Sequence, residues 1–247
     1  MLSLPANCPF LLYSVIASKG QPISPPNFPM NCSWLFVYGE SRPSPGWTRV
    51  RADHLTPEYT KDLRGDRRTS RVLKINSHLL NVSAPVVYID TKHKVGNLAN
   101  VYYIIKAMRE CNASMLSFLH PSRPHDVVLE LKAIVKKRRT SNASEIRRQE
   151  SNVRNDPLLS RLDATRATTV NDGSMIVRIA SPELEAFERE WYRTYNAGGD
   201  RDQPAFAIAH AKTFGDLRSD LCGNAVWTVP HKGIQSRHID GHNRFIH

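Results

Sequence analysis

The chain has 247 residues, enough for one large domain or two small ones and for a substantial core. With 40% apolar and 23% charged residues it has the composition of an ordinary globular protein. A net charge of +11 predicts attraction to polyanions: nucleic acid, anionic lipid, acidic polysaccharide or nucleotide phosphates. The four cysteines (Cys8, Cys32, Cys111, Cys222) are scattered without a C-x-x-C pair, which excludes a zinc knuckle. They can pair into as many as two disulfides or stay free.

The longest apolar run, Phe10 to Ala17, is too short to span a bilayer and has no basic leader. It reads as a first strand. A Pro-rich crossing (Pro22, Pro25, Pro26, Pro29) leads to a second, Trp34 to Tyr38. Residues 41 to 66 look like loop. A helix is expected over Ser70 to Leu80, with Val72, Leu73, Leu79 and Leu80 on one side. The β-branched run Val86 to Ile89 reads as a buried strand, followed by a helix over 97–110 with apolar residues at Leu98, Val101, Ile104, Ile105 and Met108. Ser114 to Leu119 is a further strand, and Asp126 to Arg139 a helix with Val127, Val128, Leu131, Ile134 and Val135 inward. The segment 140–170 is polar and Arg-rich, an exposed helix or a mobile arm. Gly173 to Ile179 reads as a strand. Ser181 and Pro182 then start an amphipathic helix running to Tyr195. After a Gly-Gly turn come a helix from Pro204 to Thr213, a short strand from Val226 to Val229, and a His- and Arg-rich tail. Alternating strands and helices predict an α/β fold, a mostly parallel sheet in a single domain with no internal repeat.

Asp90, directly after the third strand, is the leading candidate for chemistry. In open α/β sheets ligands sit at the carboxyl ends of strands. A carboxylate flanked by Lys92, His93 and Lys94 suits a metal-bound diphosphate. The same Asp also reads as a cap on the helix that follows. Arg71, Lys74 and His78 are spaced to share one helix face that could hold phosphate, or could simply be solvated. His120 and Arg123 follow the next strand and lie at the same sheet edge as Asp90 if those strands are parallel; an ordinary turn is the alternative. Arg201, Asp202 and Gln203 open a helix at Pro204, although an Asp there is also favoured by the helix dipole alone. In the tail, His231 is placed to complete a metal site with Asp90, while such tails are commonly disordered basic termini. Four N-x-Ser sequons (Asn31, Asn81, Asn112, Asn142) point mildly to a secretory setting. There is no P-loop, no Gly-x-Gly-x-x-Gly, no Gly-x-Ser-x-Gly and no His-Glu-x-x-His. Asp172-Gly173 reads as a turn and nothing more.

The order of these pieces resembles the glycosyltransferase-like domain family that includes the plant mucilage-related and turgor-regulation-defect proteins, a hexosyltransferase family. The resemblance runs roughly from Leu11 to Lys232. It is carried by Tyr13-Ser14, Gly46-Trp47, the Arg71–Lys74–His78 series, Ile89-Asp90 with Lys92, and His120-Pro121 with Arg123. Glu130, Ile146, Gln149, Met175 to Arg178, Trp191, Arg201-Asp202-Gln203 and Phe206 continue it. It implies a GT-A-like fold binding a nucleotide sugar with a divalent cation, manganese being the expected ion. Asp90 and His231 would then hold the metal, and Tyr13, Arg71, Lys74 and Lys92 the donor. His120 and Arg123 would line the sugar or acceptor side, and Asp202 and Gln203 the reacting centre. Many GT-A enzymes carry Asp-x-Asp, whereas the third position here is Lys92.

The expectation is therefore a hexosyl transfer from a uridine-linked nucleotide sugar to a glycan or other hydroxyl acceptor. A Golgi or secretory setting follows, with any anchor outside this chain; a non-eukaryotic source would mean the cytoplasm. Two rivals remain at this stage. A nucleic-acid binder would use the basic stretch 132–154, but few aromatics interleave there. A degenerate domain would bind an acidic glycan without transfer.

Overall fold

The computed structural model describes residues 3–17, 24–39, 43–56, 66–91, 99–137, 142–215 and 223–230. Seven strands, Leu11–Ala17 (β1), Ser33–Tyr38 (β2), Thr48–Arg51 (β3), Val86–Ile89 (β4), Met115–Leu119 (β5), Asn171–Arg178 (β6) and Val226–Val229 (β7), form one sheet in the order β3-β2-β1-β4-β6-β5-β7. All run the same way except β6, which lies antiparallel between β4 and β5. The α/β class is as expected, and the reversed strand makes the sheet mixed. β1, β2 and β4 are apolar almost throughout because both their faces are covered.

Among the described residues seven helices flank the sheet: Asp66–Ile75 (α1), Ala99–Glu110 (α2), Val127–Lys136 (α3), Ala143–Asn155 (α4), Pro157–Ala164 (α5), Pro182–Ala197 (α6) and Asp202–Phe214 (α7). α1, α6 and α7 cover one face through Val72, Leu73, Phe187, Trp191 and Phe206. α2 covers the other with Val101, Ile104, Ile105 and Met108. Helix starts follow their caps. Ser181 accepts from the Leu184 amide at 3.1 Å with Pro182 at the first position of α6, as expected from sequence. Asp156 caps α5 in the same way.

Three expectations need correction. The helix expected to reach Leu80 ends at Ile75, and a 3-10 turn, Ser77–Leu80, carries His78 away from Arg71 and Lys74. The segment 140–170, expected to be an exposed helix or a mobile arm, contains two helices, α4 and α5, which are packed and not free: their Ile146, Val153, Leu159 and Leu162 form a third apolar cluster with α3 and α7. The stretch expected to be loop contains β3, an edge strand whose alternate residues are exposed. Cys8 and Cys32 form a disulfide tying the approach to β1 to the approach to β2, and no described cysteine is free. No helix among the described residues is long and apolar enough to cross a membrane.

A buried ion pair joins the layers. Arg178, at the end of β6, is 2.9 Å from Glu188 of α6, and both side chains are wholly buried. The guanidinium also donates to the Tyr13 hydroxyl of β1 at 3.1 Å and to the Lys74 carbonyl of α1 at 2.7 Å. Glu188 accepts from the Ser77 hydroxyl at 2.5 Å and the His78 amide at 3.1 Å, with His78 Nδ1 2.7 Å away. Removing one member of a buried pair strands the other charge. Glu188→Gln is expected to lower the unfolding free energy by about 3–5 kcal/mol in a denaturant titration.

His210 of α7 is buried among Phe187, Phe206 and Phe214, and burial pushes its pKa down to about 4. The folded state therefore resists a proton that the unfolded chain accepts near pH 6.5. Stability is full above that value and falls as the pH drops towards 4. A shift of this size corresponds to about 3 kcal/mol. In urea unfolding series between pH 7.5 and 4, His210→Phe should flatten this part of the profile.

Candidate functional site

The carboxyl ends of β4 and β5 and the start of β6 meet at one edge of the sheet. Above it, α1 supplies Arg71 and Lys74, one turn apart, and the mouth of α7 supplies Asp202. Lys74 Nζ lies 2.5 Å from Asp202 Oδ2, and Arg71 Nε lies 3.4 Å from Oδ1, so one carboxylate holds two cations. Lys74 and Asp202 are almost wholly buried, while Arg71 keeps partial access to solvent. Lys74 Nζ also sits 5.1 Å from the centroid of the Tyr88 ring. Burial alone would raise the Asp202 pKa, but Lys74 and Arg71 outweigh it and hold the carboxyl well below its usual range. The helix dipole acts in the same sense. Trp191 Nε1 fixes the start of α7 by donating to the Asp202 carbonyl at 2.9 Å.

Asp90 enters from β4. Its amide donates to the Ser174 carbonyl at 2.8 Å, extending the ladder to β6 by one step. Strand alternation puts Asp90 on the face of Val86 and Tyr88, the face that α1 and α7 cover. Its charge acts on Arg71, Lys74 and Tyr88, as does that of Asp202. The carboxylate is only partly buried. Gln203, also partly exposed, donates from Nε2 to the Asp172 carbonyl at 3.5 Å, and Arg201 donates to its Oε1 at 3.3 Å. The Asp172 carboxylate accepts from the Ser174 hydroxyl at 2.8 Å.

Asp172-Gly173, dismissed from sequence as a turn, forms part of this mouth. Gly173 has φ +64°, and a Cβ there would lie 3.0 Å from Lys74 Nζ and 3.6 Å from Asp202 Oδ2. The backbone thus closes directly over the ion pair. An Asp-Gly step opening a strand beside the Asp90 strand was the available signal.

His120 and Arg123 form a neighbouring cluster around Glu130 of α3. His120 Nδ1 accepts from the amides of Ser122 (3.2 Å) and Arg123 (3.1 Å), and Arg123 Nη2 lies 3.4 Å from Nε2. His120 Nε2 is 3.7 Å from the Glu130 carboxylate, which also accepts from Arg123 Nε. β4 and β5 are both antiparallel to β6, so this turn does share the sheet edge of Asp90. The structure therefore gathers Arg71, Lys74, Asp90, Asp202 and Gln203 at one mouth, with His120 and Arg123 grouped separately beside it.

A family model described as TOD1/MUCI70, glycosyltransferase-like domain, matches residues 59–221, more than half of the chain. The chain belongs to this family. Among solved structures, the apo form of mouse xyloside xylosyltransferase 1 aligns with 84% of this chain and 83% of that one. The TM-score is 0.43 and the identity 9%, a likeness too low to carry any argument about the site. No curated protein matches the chain.

The matched span contains Arg71, Lys74, Asp90, His120, Arg123, Asp202 and Gln203. Several other motif residues have structural roles. A Cβ on Gly198 would fall 2.3 Å from Gln149 Nε2, and one on Gly199 2.1 Å from Ile146 Cδ1. The Gly-Gly turn therefore seats against α4, and this close approach sets the start of α7. Tyr13, expected to bind donor, is wholly buried: its hydroxyl donates to the Leu73 carbonyl and accepts from Arg178. It leaves the donor-binding set. His78 likewise faces Glu188 and not the mouth. Lys92 and His231 lie outside the described residues.

Gly173→Ala would place a side chain at positive φ and press on Lys74. It should cost about 1–2 kcal/mol from backbone strain alone, read as a lowered denaturation midpoint.

Proposed function

We propose that the chain is a glycosyltransferase that moves a hexose-type sugar from a nucleotide donor, a uridine diphosphate sugar, to a hydroxyl of a glycan or glycoconjugate in the secretory pathway. The observation that carries this reading is the partly exposed Asp90 carboxylate. It stands at the carboxyl edge of the sheet, on the face covered by α1 and α7, within electrostatic reach of Arg71 and Lys74. Membership of a glycosyltransferase-like family supports it. The sheet, with its reversed strand beside β4, suits a GT-A-like reading.

In this scheme Arg71 faces the donor diphosphate, and Asp202 holds Arg71 and Lys74 in place. Prepositioned cations of this kind stabilise a leaving diphosphate without reorganising during reaction. Asp202 is ionised at all working pH values and so is a weak proton acceptor near neutrality. Its role is orientation, together with Gln203 at the sugar. His120 and Arg123 line the acceptor side.

No group of three or more His, Cys, Asp or Glu side chains that could hold a metal exists among the described residues. Asp90, a hard oxygen donor, would be the residue to hold a divalent ion such as manganese or magnesium beside a nucleotide. Bound there, it would neutralise charge on the leaving diphosphate. The one-carboxylate donor set also suits the rival reading, glycan binding without transfer, and the same experiment separates the two.

Asp90→Ala should reduce transfer from a panel of uridine diphosphate sugars at least about a hundredfold while leaving the circular dichroism spectrum and melting temperature near wild type. Wild-type turnover by this variant would overturn the assignment. If the wild type binds glycans but transfers nothing from any donor, the binding-only reading stands.

A further inference from the structure

The strands parallel to β4 all begin at the sheet edge opposite Asp90. Three of the turns there carry a sequon: Asn31-Cys32-Ser33 leads into β2, Asn81-Val82-Ser83 into β4, and Asn112-Ala113-Ser114 into β5, and the last two stand apart. Both asparagines are exposed, and both have φ +50°, a left-handed conformation Asn tolerates at tight turns. The turns are closed by backbone alone, Asn81 N–H to the His78 carbonyl at 3.1 Å and Asn112 N–H to the Arg109 carbonyl at 3.2 Å. Neither carboxamide is needed to hold its turn. Asn81 also lines an open cleft of about 620 Å³, so a sugar on its amide nitrogen has room.

The other two sequons differ. The Asn142 carboxamide caps α4, accepting from the Glu145 amide at 3.2 Å and the Ser144 hydroxyl at 2.7 Å. In the Asn31 sequon, Cys32 is locked in the disulfide, and the buried Ser33 hydroxyl donates to the Pro29 carbonyl at 3.0 Å. The Cys8–Cys32 bond supplies independent support, because such bonds persist in the oxidising compartments where sequons are modified.

We propose that Asn81 and Asn112 carry N-linked glycans that clothe the edge of the sheet remote from Asp90. In each case Asn Nδ2 bonds to the anomeric carbon of an oligosaccharide carried on a lipid pyrophosphate. The lipid pyrophosphate departs, and one amide proton is lost. The glycans point away from the mouth between α1 and α7, leaving that edge open.

The test is to express the full chain behind a cleavable signal in a eukaryotic secretory host. The secreted protein is treated with peptide-N-glycosidase in heavy-oxygen water and its peptides are weighed. Both Asn81 and Asn112 should be converted to heavy-oxygen Asp, and Asn81→Gln and Asn112→Gln should each remove one step of the gel-mobility shift. Should Asn81→Gln fail to fold, Ser83→Ala destroys the same sequon and keeps Asn81 in place. Recovery of either asparagine unmodified from the folded, secreted chain overturns the proposal. The readout is a peptide mass, so it stands or falls independently of any transfer activity.

Discussion

The architecture depends on a pair of charges sealed inside the protein. Arg178 and Glu188 are remote from water, and a buried ion pair is tolerated only when its remaining donors and acceptors are also matched. Here they are matched by groups from separate elements: the Tyr13 hydroxyl of β1, the Lys74 carbonyl of α1, and the Ser77 and His78 groups of the turn after α1. The pair thereby fixes where α1 ends relative to β1 and β6. Since Lys74 is the residue whose carbonyl is held, the anchor also sets the height at which its ammonium group meets Asp202.

A second electrostatic unit is built above the first. Asp202 neutralises two cations in a poorly solvated place, where charge interactions are stronger than in water. Gly173 allows the start of β6 to pass directly over this unit, and the Gly198-Gly199 turn lets α7 begin at the right place. These glycines are therefore constraints on electrostatic geometry more than on chain flexibility.

Much of this was legible in the sequence, and the exceptions have physical causes. Asp90 stood out because an apolar β-branched run ends abruptly in a carboxylate, and α6 because Ser181 and Pro182 signal a helix start. The position of β6 was readable, but its direction was not, since a period-two pattern looks the same in either orientation. The spacing of Arg71, Lys74 and His78 suggested one helical face. Asn76 breaks the helix, with φ −99° and ψ 73°, and sends His78 to Glu188. The packing of the helices at 143–164 was hidden because a sparse set of residues, Ile146, Val153, Leu159 and Leu162, makes up most of their buried stripe. Tyr13 was misread because its burial depends on Arg178, far away in sequence.

The reversal of β6 has a consequence for how the molecule assembles. The central position of β6 means that its ladder bonds are divided between β4 on one side and β5 on the other, and only a sheet holding both neighbours satisfies them all. The mouth draws on residues as distant along the chain as Arg71 and Asp202, so its contacts carry a large loop-closure cost. Every residue of the charged mouth lies after β3 in the chain, so a compact species that has formed only the β1–β2–β3 half contains none of it.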